Sequence, residues 1–424
     1  MRQGKLHEAI KSYEKAIQLK PDYAEAFSNR GGVLQELGQL EEAVESCNKA
    51  IQLKPDNPVT YNNRGNALRD LGRLEEALKD YEKAILLNSD YAEAYNNRGH
   101  ALSDLGQLNE ALQSMQTAVE KDPESSWIFD SLVVFLNCYM PNGETSSPYI
   151  KAQGSLQQIH GENTSSIKIT DELVRQLYQQ CHSILTFHNL ENNTNRSQLY
   201  RGAFFDEDCR RHKMVFDTFK IIPERCFSCY KVTLDPRTVM ELFKILLLFD
   251  RLKLPNDNTR KCTVEVRPEI SGTYKGFVYC KSLDEAKEIL TIVKSIVGET
   301  ISEEIPIFVK RGCSEFPITY PEYGHITDNE AQLMTYNEEW RKHEVYTDNN
   351  LIKYTDHNAN DFTHNHSGLT LLDALIMRNW LSYAKTIGDI SYLQISKSHN
   401  LCVTDGLKNV MDKRPSFRLV KKES

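Results

Sequence analysis

Apolar and small residues recur every 34 positions along the first third of the chain. When Ala24, Pro58 and Ala92 are aligned as first positions, an aromatic residue falls at position four, glycine at eight, leucine at eleven and alanine at twenty and twenty-seven. Large residues occupy position twenty-four of the three copies: Cys47, Tyr81 and Met115. This spacing predicts pairs of helices in which small residues permit close approach and large residues fill the gaps between neighbours.

The repeat resembles the tetratricopeptide repeat. A glycine marks the turn between the two helices of each copy, and Pro55, Ser89 and Pro123 close the copies. The resemblance implies an α-helical solenoid that serves as a binding scaffold, and it is specific for fold and not for partner. We expect an array over residues 1–142, with full repeats at 24–57, 58–91 and 92–125 and a closing helix at 126–140.

Residues 1–23 match the repeat only from its twelfth position onward, so the first helix of that copy is missing. The remaining helix then has an apolar flank without cover, where a solenoid normally carries a polar cap. We favour a protein start upstream of Met1. The alternative is that this edge docks on a partner.

The pattern changes after the repeats. Residues 143–200 are predicted as a polar linker followed by a helix from Asp171 to Leu190. Residues 321–424 are predicted as a helical extension, with one helix from Leu369 to Thr386 and a basic tail at 408–422.

Between these segments, four short stretches alternate apolar and polar residues, as strands do, at 230–234, 262–267, 275–280 and 307–311. Asp235 and Pro236 are typical of a helix start after the first strand, and Ser282 with Glu285 forms a capping-box pattern after the third. The order β-α-β-β-α-β predicts a ferredoxin-like α+β domain over residues 201–320.

The first helix of each tetratricopeptide repeat lines the concave groove of that family, where positions five, six and nine face a bound segment. Amides dominate these positions here. The candidate peptide-binding residues are Asn29, Asn62, Asn63, Asn66, Asn96, Asn97 and His100. Each amide offers a donor and an acceptor to the main chain of an extended peptide. The position-six column resembles the asparagine ladder of O-linked N-acetylglucosamine transferases; the alternative is that it is repeat consensus and binds nothing.

Two roles of this family do not fit. The clamp that holds a C-terminal carboxylate is missing, because position two carries Glu25, Val59 and Glu93 and position five has no lysine. The transferase itself is not expected either, since only about 280 residues follow the repeats and none forms a glycine-rich strand–turn–helix unit. A glycosyltransferase-associated repeat protein remains a weaker alternative.

The predicted sheet suggests a role for five of the cysteines. Strand ends in the split β-α-β plan would bring five of them to one edge, where thiolates could hold zinc or an iron–sulfur centre. These are Cys226, Cys229, Cys262, Cys280 and Cys313. The alternative is that they are reduced thiols packed as small apolar groups.

Charge, apolar run length and cysteine spacing bear on nucleic-acid binding, membrane spans and compartment. The formal net charge of −8 argues against wholesale nucleic-acid binding, although Lys275 to Cys280 faintly resembles the third-strand signature of RNA-recognition motifs. No run of eighteen apolar residues is present, so no membrane span is predicted. Ten cysteines without regular spacing favour a reducing cytoplasm.

These observations favour a cytoplasmic adaptor that captures a peptide or protein partner in the repeat groove. The alternative is an enzyme or metal-binding module in residues 201–320, for which the repeats recruit substrate. An RNA-binding α+β domain is a weaker alternative.

Overall fold

A computed structural model describes residues 2–139, 147–162, 168–190, 194, 196–202, 209–265, 272–313, 315–324, 334–350 and 369–396. The chain divides into two compact units. The first contains Met1–Pro141 and Lys342–Asn360, and the second contains Asn142–Arg341 and Asp361–Ser424. None of the described helices is both long enough and apolar enough to cross a bilayer.

The first unit begins with a helical solenoid. Its helices are α1 (Arg2–Leu19), α2 (Ala24–Glu36), α3 (Leu40–Leu53), α4 (Pro58–Asp70), α5 (Leu74–Leu87), α6 (Ala92–Asp104), α7 (Leu108–Lys121) and α8 (Ser126–Cys138). Helix α2 packs on α3, α4 on α5 and α6 on α7, which confirms the predicted helix pairs. Helix α8 packs on α6 and α7 at the end of the array, where a closing helix was predicted.

Close contact between positions eight and twenty-four explains the repeat pattern. A Cβ atom added to Gly31 would lie 2.4 Å from Cys47 Sγ, and one added to Gly65 would lie 2.7 Å from the ring of Tyr81. Only glycine therefore lets the two helices approach this closely. The turn glycines adopt positive φ angles of 76°, 76° and 75° at Gly38, Gly72 and Gly106.

The second unit contains helices and one sheet. In chain order the next elements are α9 (Pro148–Glu162), α10 (Asp171–Phe187), β1 (Gln198–Arg201), α11 (Cys209–Phe219), β2 (Tyr230–Leu234), α12 (Val239–Arg251), β3 (Arg260–Val264), β4 (Tyr274–Cys280), α13 (Leu283–Thr300), β5 (Ile307–Arg311), α14 (Phe316–Thr319), α15 (Arg341–Asn350), α16 (Leu371–Ile387) and α17 (Tyr392–Ile395). Single 3-10 turns lie at Glu224–Ser228, Pro321–Gly324 and Glu338–Trp340. From Lys342 onward, α15 belongs to the first unit.

The five described strands form one antiparallel sheet in the order β1-β3-β4-β2-β5. Tyr230 on β2 lies opposite Cys280 on one side and Arg311 on the other. An α-helical solenoid followed by a region with a small antiparallel sheet is therefore confirmed. Strand β1 was not predicted, because its four residues are too few to show an alternating pattern.

Helices α12 and α16 supply much of the core of the second unit. Phe243 on α12 meets Trp380 on α16 edge to face, with ring centroids 5.7 Å apart. Trp380 Nε1 donates a hydrogen bond to the Ser197 carbonyl at 2.9 Å, which ties α16 to the chain just before β1. The helix that the sequence placed in a C-terminal extension is thus buried inside this unit.

Two helices of the second unit differ from the sequence prediction. Helix α12 begins at Val239 and not at Pro236, because Thr238 caps it by accepting from Glu241 N at 3.2 Å. Asp235 instead forms an ion pair with Lys275 at 2.7 Å. A second difference is α9, which occupies part of the predicted polar linker.

The capping-box prediction after β4 is half correct. Ser282 Oγ accepts from Glu285 N at 3.1 Å, as the box requires. Glu285 Oε2, however, accepts from Lys281 N at 2.6 Å, one residue before the cap. The predicted basic tail at 408–422 lies outside the described residues.

Candidate peptide-binding groove

The candidate groove is formed by the first helix of each repeat. Helices α2, α4 and α6 pack in sequence, so that equivalent positions follow one another along the array. Position five carries Ser28, Asn62 and Asn96, and position six carries the column formed by Asn29, Asn63 and Asn97.

The position-six amides connect neighbouring repeats. Asn63 Nδ2 donates to the Ser28 carbonyl at 3.2 Å, and Asn97 Nδ2 donates to Asn62 Oδ1 at 3.0 Å. In both cases the donor reaches position five of the preceding repeat. The position-six amides therefore form hydrogen bonds between the first helices of neighbouring repeats.

Two further predicted contact residues, Asn62 and Asn66, also form hydrogen bonds within the array. Asn62 is fully buried, and its Nδ2 donates to Glu93 Oε1 at 3.3 Å while its Oδ1 accepts from Asn97. Asn66 Oδ1 accepts from the Tyr81 hydroxyl at 2.8 Å. These amides orient the helices of the groove.

The other candidates differ in exposure. Asn29 is exposed, and Asn63 and His100 are half-buried. Asn96 is 1% exposed and Asn97 is 9% exposed. Within the position-six column, Asn29 and Asn63 are therefore more accessible to a ligand than Asn97.

A second periodic set holds the groove helices in place and was not predicted. Arg30 Nε donates to Ser46 Oγ at 3.0 Å, and Arg98 Nε donates to Ser114 Oγ at 3.0 Å. In the middle repeat, Arg64 donates to both oxygens of Asp80, at 2.7 and 2.6 Å. Arginine at position seven facing serine or aspartate at position twenty-three was a detectable signal, since it recurs in all three copies.

The array is acidic. Residues 1–139 contain 15 lysines and arginines against 22 aspartates and glutamates. An acidic column at position thirteen accompanies the amide column: Glu36, Asp70 and Asp104. Gln35 Nε2 donates to Asp70 Oδ2 at 2.5 Å, which ties α2 to α4 along this column. The summed charge gives the array a negative potential.

The cysteines of the second unit do not all meet at one sheet edge. Cys262 lies opposite Gly276, four residues along β4 from Cys280. Burial raises the pKa of the Cys280 thiol to about 12 and also raises the pKa of Cys262, so both are protonated at neutral pH.

Within the described ranges, no group of three or more histidine, cysteine, aspartate or glutamate side chains is arranged to hold a metal ion. The zinc or iron–sulfur hypothesis stays a prediction without support from this geometry. It concerned Cys226, Cys229, Cys262, Cys280 and Cys313.

Comparison with sequence families identifies the array. Residues 1–38 and 65–106 match a model described as TPR repeat, residues 22–85 match a tetratricopeptide repeat model, and residues 92–125 match a third. Residues 1–125 are therefore tetratricopeptide repeats, as the sequence pattern predicted, and the remainder of the chain has no family match. No curated protein matches the chain.

Solved structures with similarity to the array include a crystal structure of MamA, which is 23% identical over 32% of this chain and 80% of MamA, with a TM-score of 0.29. The first repeat domain of Spaghetti (RPAP3), bound to an HSP90 peptide, is 28% identical over 27% of this chain and 91% of that domain, with a TM-score of 0.26. The second repeat domain of human RPAP3, in complex with an HSP70 peptide, is 32% identical over 26% of this chain and 93% of that domain, with a TM-score of 0.25. With TM-scores this low, no partner is inferred from these structures.

Proposed function

We propose that the tetratricopeptide array is a protein-interaction scaffold that binds an extended peptide along α2, α4 and α6. The observation that carries the proposal is the amide column, which begins with exposed Asn29 and continues with half-buried Asn63. Asn63 uses one N–H within the array. A second N–H and the carbonyl lone pairs of such an amide can pair with the main chain of a peptide.

Charge indicates the kind of peptide. The acidic column at position thirteen and the excess of carboxylates in residues 1–139 favour a segment that contains lysine or arginine. Exposed charges are screened by salt, so binding of such a peptide should weaken as ionic strength rises. A peptide rich in aspartate and glutamate should bind poorly.

The test uses the full-length protein and short unstructured peptides selected from a display library. Replacing the two reachable amides, by Asn29→Ala with Asn63→Ala, should weaken binding of a selected peptide about thirtyfold. Each lost hydrogen bond contributes about 1 kcal/mol. Fluorescence anisotropy of the labelled peptide gives the dissociation constant.

The matched control removes two amides that do not belong to the column. Gln52→Ala with Gln113→Ala changes exposed side chains on α3 and α7 and should leave binding unchanged. Equal affinity of the asparagine variant and the wild type would overturn the proposal, and so would an equal loss in the control.

For the second unit we propose a ferredoxin-like domain. The elements β2, α12, β3, β4, α13 and β5 follow the required order, and the four strands lie in the order β3-β4-β2-β5. We also propose a cytoplasmic location, because ten cysteines without regular spacing favour a reducing compartment over a disulfide framework.

A further inference from the structure

One face of the sheet in the second unit brings lysines and aromatic rings together. The register places Lys231 directly opposite Tyr279 on β4 and Lys310 on β5, so these three side chains point to the same face. Phe277 belongs to the same face, since it lies two residues before Tyr279 along β4.

The two lysines share one aromatic ring. Lys310 Nζ lies 4.9 Å from the centroid of Phe277, and Lys231 Nζ lies 5.9 Å from the same centroid. Lys231 Nζ is also 4.9 Å from the centroid of Tyr279 and 3.5 Å from Cys313 Sγ. Two amines held over one ring repel each other when both are charged.

Charged groups of both signs surround Lys310. Lys231 on β2 and Lys275 on β4 are both buried, and Lys275 is paired with Asp235 at 2.7 Å. Cys313 and Glu315, which follow β5, favour the charged amine. Burial and then the charge of Lys231 outweigh them and lower the pKa of Lys310 to about 7.

We propose that Lys310 is a nucleophilic amine that forms an imine with small carbonyl compounds bearing a phosphate or carboxylate group. Lys310 lies half-buried on the edge strand β5. Its nitrogen adds to the carbonyl carbon, protons pass to the carbonyl oxygen, and water leaves as the C=N bond forms. The cation of Lys231 favours an anionic compound.

The chemistry follows from the protonation state. With a pKa of about 7, roughly half of the Lys310 amine is unprotonated at neutral pH. An ordinary lysine, with a pKa of 10.5, is unprotonated to less than about one part in a thousand under the same conditions. This activity is independent of the peptide groove.

Pyridoxal 5′-phosphate is a suitable probe, since it carries both an aldehyde and a phosphate. The full-length protein is exposed to it at pH 7, the imine is reduced with borohydride, and the labelled lysines are mapped by peptide mass spectrometry. Lys310 should be labelled at least about tenfold faster than exposed Lys253. Excess inorganic phosphate should slow this labelling.

A second variant separates reactivity from exposure. Lys231→Met keeps an unbranched side chain over Phe277 but removes its charge, which should raise the pKa of Lys310. Labelling of Lys310 should then fall several-fold at pH 7 and recover near pH 10, whereas Lys253→Met should leave the pH profile unchanged.

Equal labelling of Lys310 and Lys253 at pH 7 in the folded wild type would overturn the proposal. So would a pH profile of Lys310 labelling with its midpoint near 10, which is measurable in the wild type even if Lys231→Met fails to fold. Preferential labelling of Lys231 in place of Lys310 would also exclude it.

Discussion

At the scale of single residues, the asparagines of the groove perform two different tasks. Asn97 donates an N–H to the side-chain oxygen of fully buried Asn62, and Asn63 donates one to the carbonyl of Ser28 in the preceding repeat. Asn29 stands at the exposed end of the column. The same residue type therefore holds helices together at one end of the column and is accessible to a ligand at the other.

This difference predicts effects of different size on stability. Asn97→Ala should lower the free energy of unfolding by about 1–3 kcal/mol, because it leaves the buried Asn62 oxygen without its donor. Asn29→Ala should change it by less than about 0.5 kcal/mol, as is usual for an exposed site. Urea unfolding followed by circular dichroism at the helical minimum measures both. Equal values for the two variants would contradict a structural role for Asn97.

At the scale of elements, helix pairing depends on matched small and large positions. Gly65 on α4 faces Tyr81 on α5, a fully buried side chain whose hydroxyl bonds back to α4 at Asn66. The two helices can close only where position eight lacks a Cβ atom. The arginine at position seven then fixes their relative rotation by hydrogen bonds to position twenty-three.

Gly65→Ala should therefore destabilise the array, although alanine is the better helix former. The new Cβ would meet the Tyr81 ring at 2.7 Å, and such overpacking costs about 1–3 kcal/mol. Gly154→Ala in α9 is the matched control, because its Cβ would have no neighbour within 4 Å. The control should be neutral or stabilising by up to about 1 kcal/mol. If thermal unfolding shows the same effect for both glycines, the steric explanation is wrong.

At the scale of the whole molecule, one buried ionic cluster joins distant parts of the second unit. The Arg201 guanidinium on β1 bonds Asp250 on α12 and lies 3.0 Å from Asp373 on α16. Asp373 is fully buried and also closes the capping box of α16, where its Oδ2 accepts from Thr370 N at 2.9 Å. The cluster fixes α16 against a strand that precedes it by about 170 residues.

Asp373→Ala should lower the stability of the second unit by about 3–5 kcal/mol, since it leaves a buried guanidinium with one carboxylate partner in place of two. Asp284→Ala, an exposed carboxylate in the first turn of α13, should cost less than about 1 kcal/mol. Unfolding of the full chain followed by intrinsic tryptophan fluorescence, to which buried Trp380 contributes, distinguishes the two variants. A loss as small as that of the control would show that the cluster contributes little.

The sequence predicted best where structure is local and periodic. The spacing alone predicts the helix pairs, the turn glycines and the matching of small with large residues between helices. It can do so because each repeat contacts only its neighbours. The same locality located β2, β4 and β5 to within a residue. The sequence did not predict α9, where polar residues interrupt the apolar stripe. It also placed the start of α12 too early, because Asp235 forms an ion pair with Lys275 and does not cap the helix.

The sequence by itself determined the tetratricopeptide array, its register and the presence of the amide column. Only the tertiary structure decided which amides form hydrogen bonds between helices and which arginines hold the two helices of a repeat together. It also decided that α16 belongs to the core of the second unit. It also brought Lys231 and Lys310 together over Phe277. The physical reason is that hydrogen-bond partners, burial and charge repulsion depend on residues far apart in the chain, whose juxtaposition no local pattern encodes.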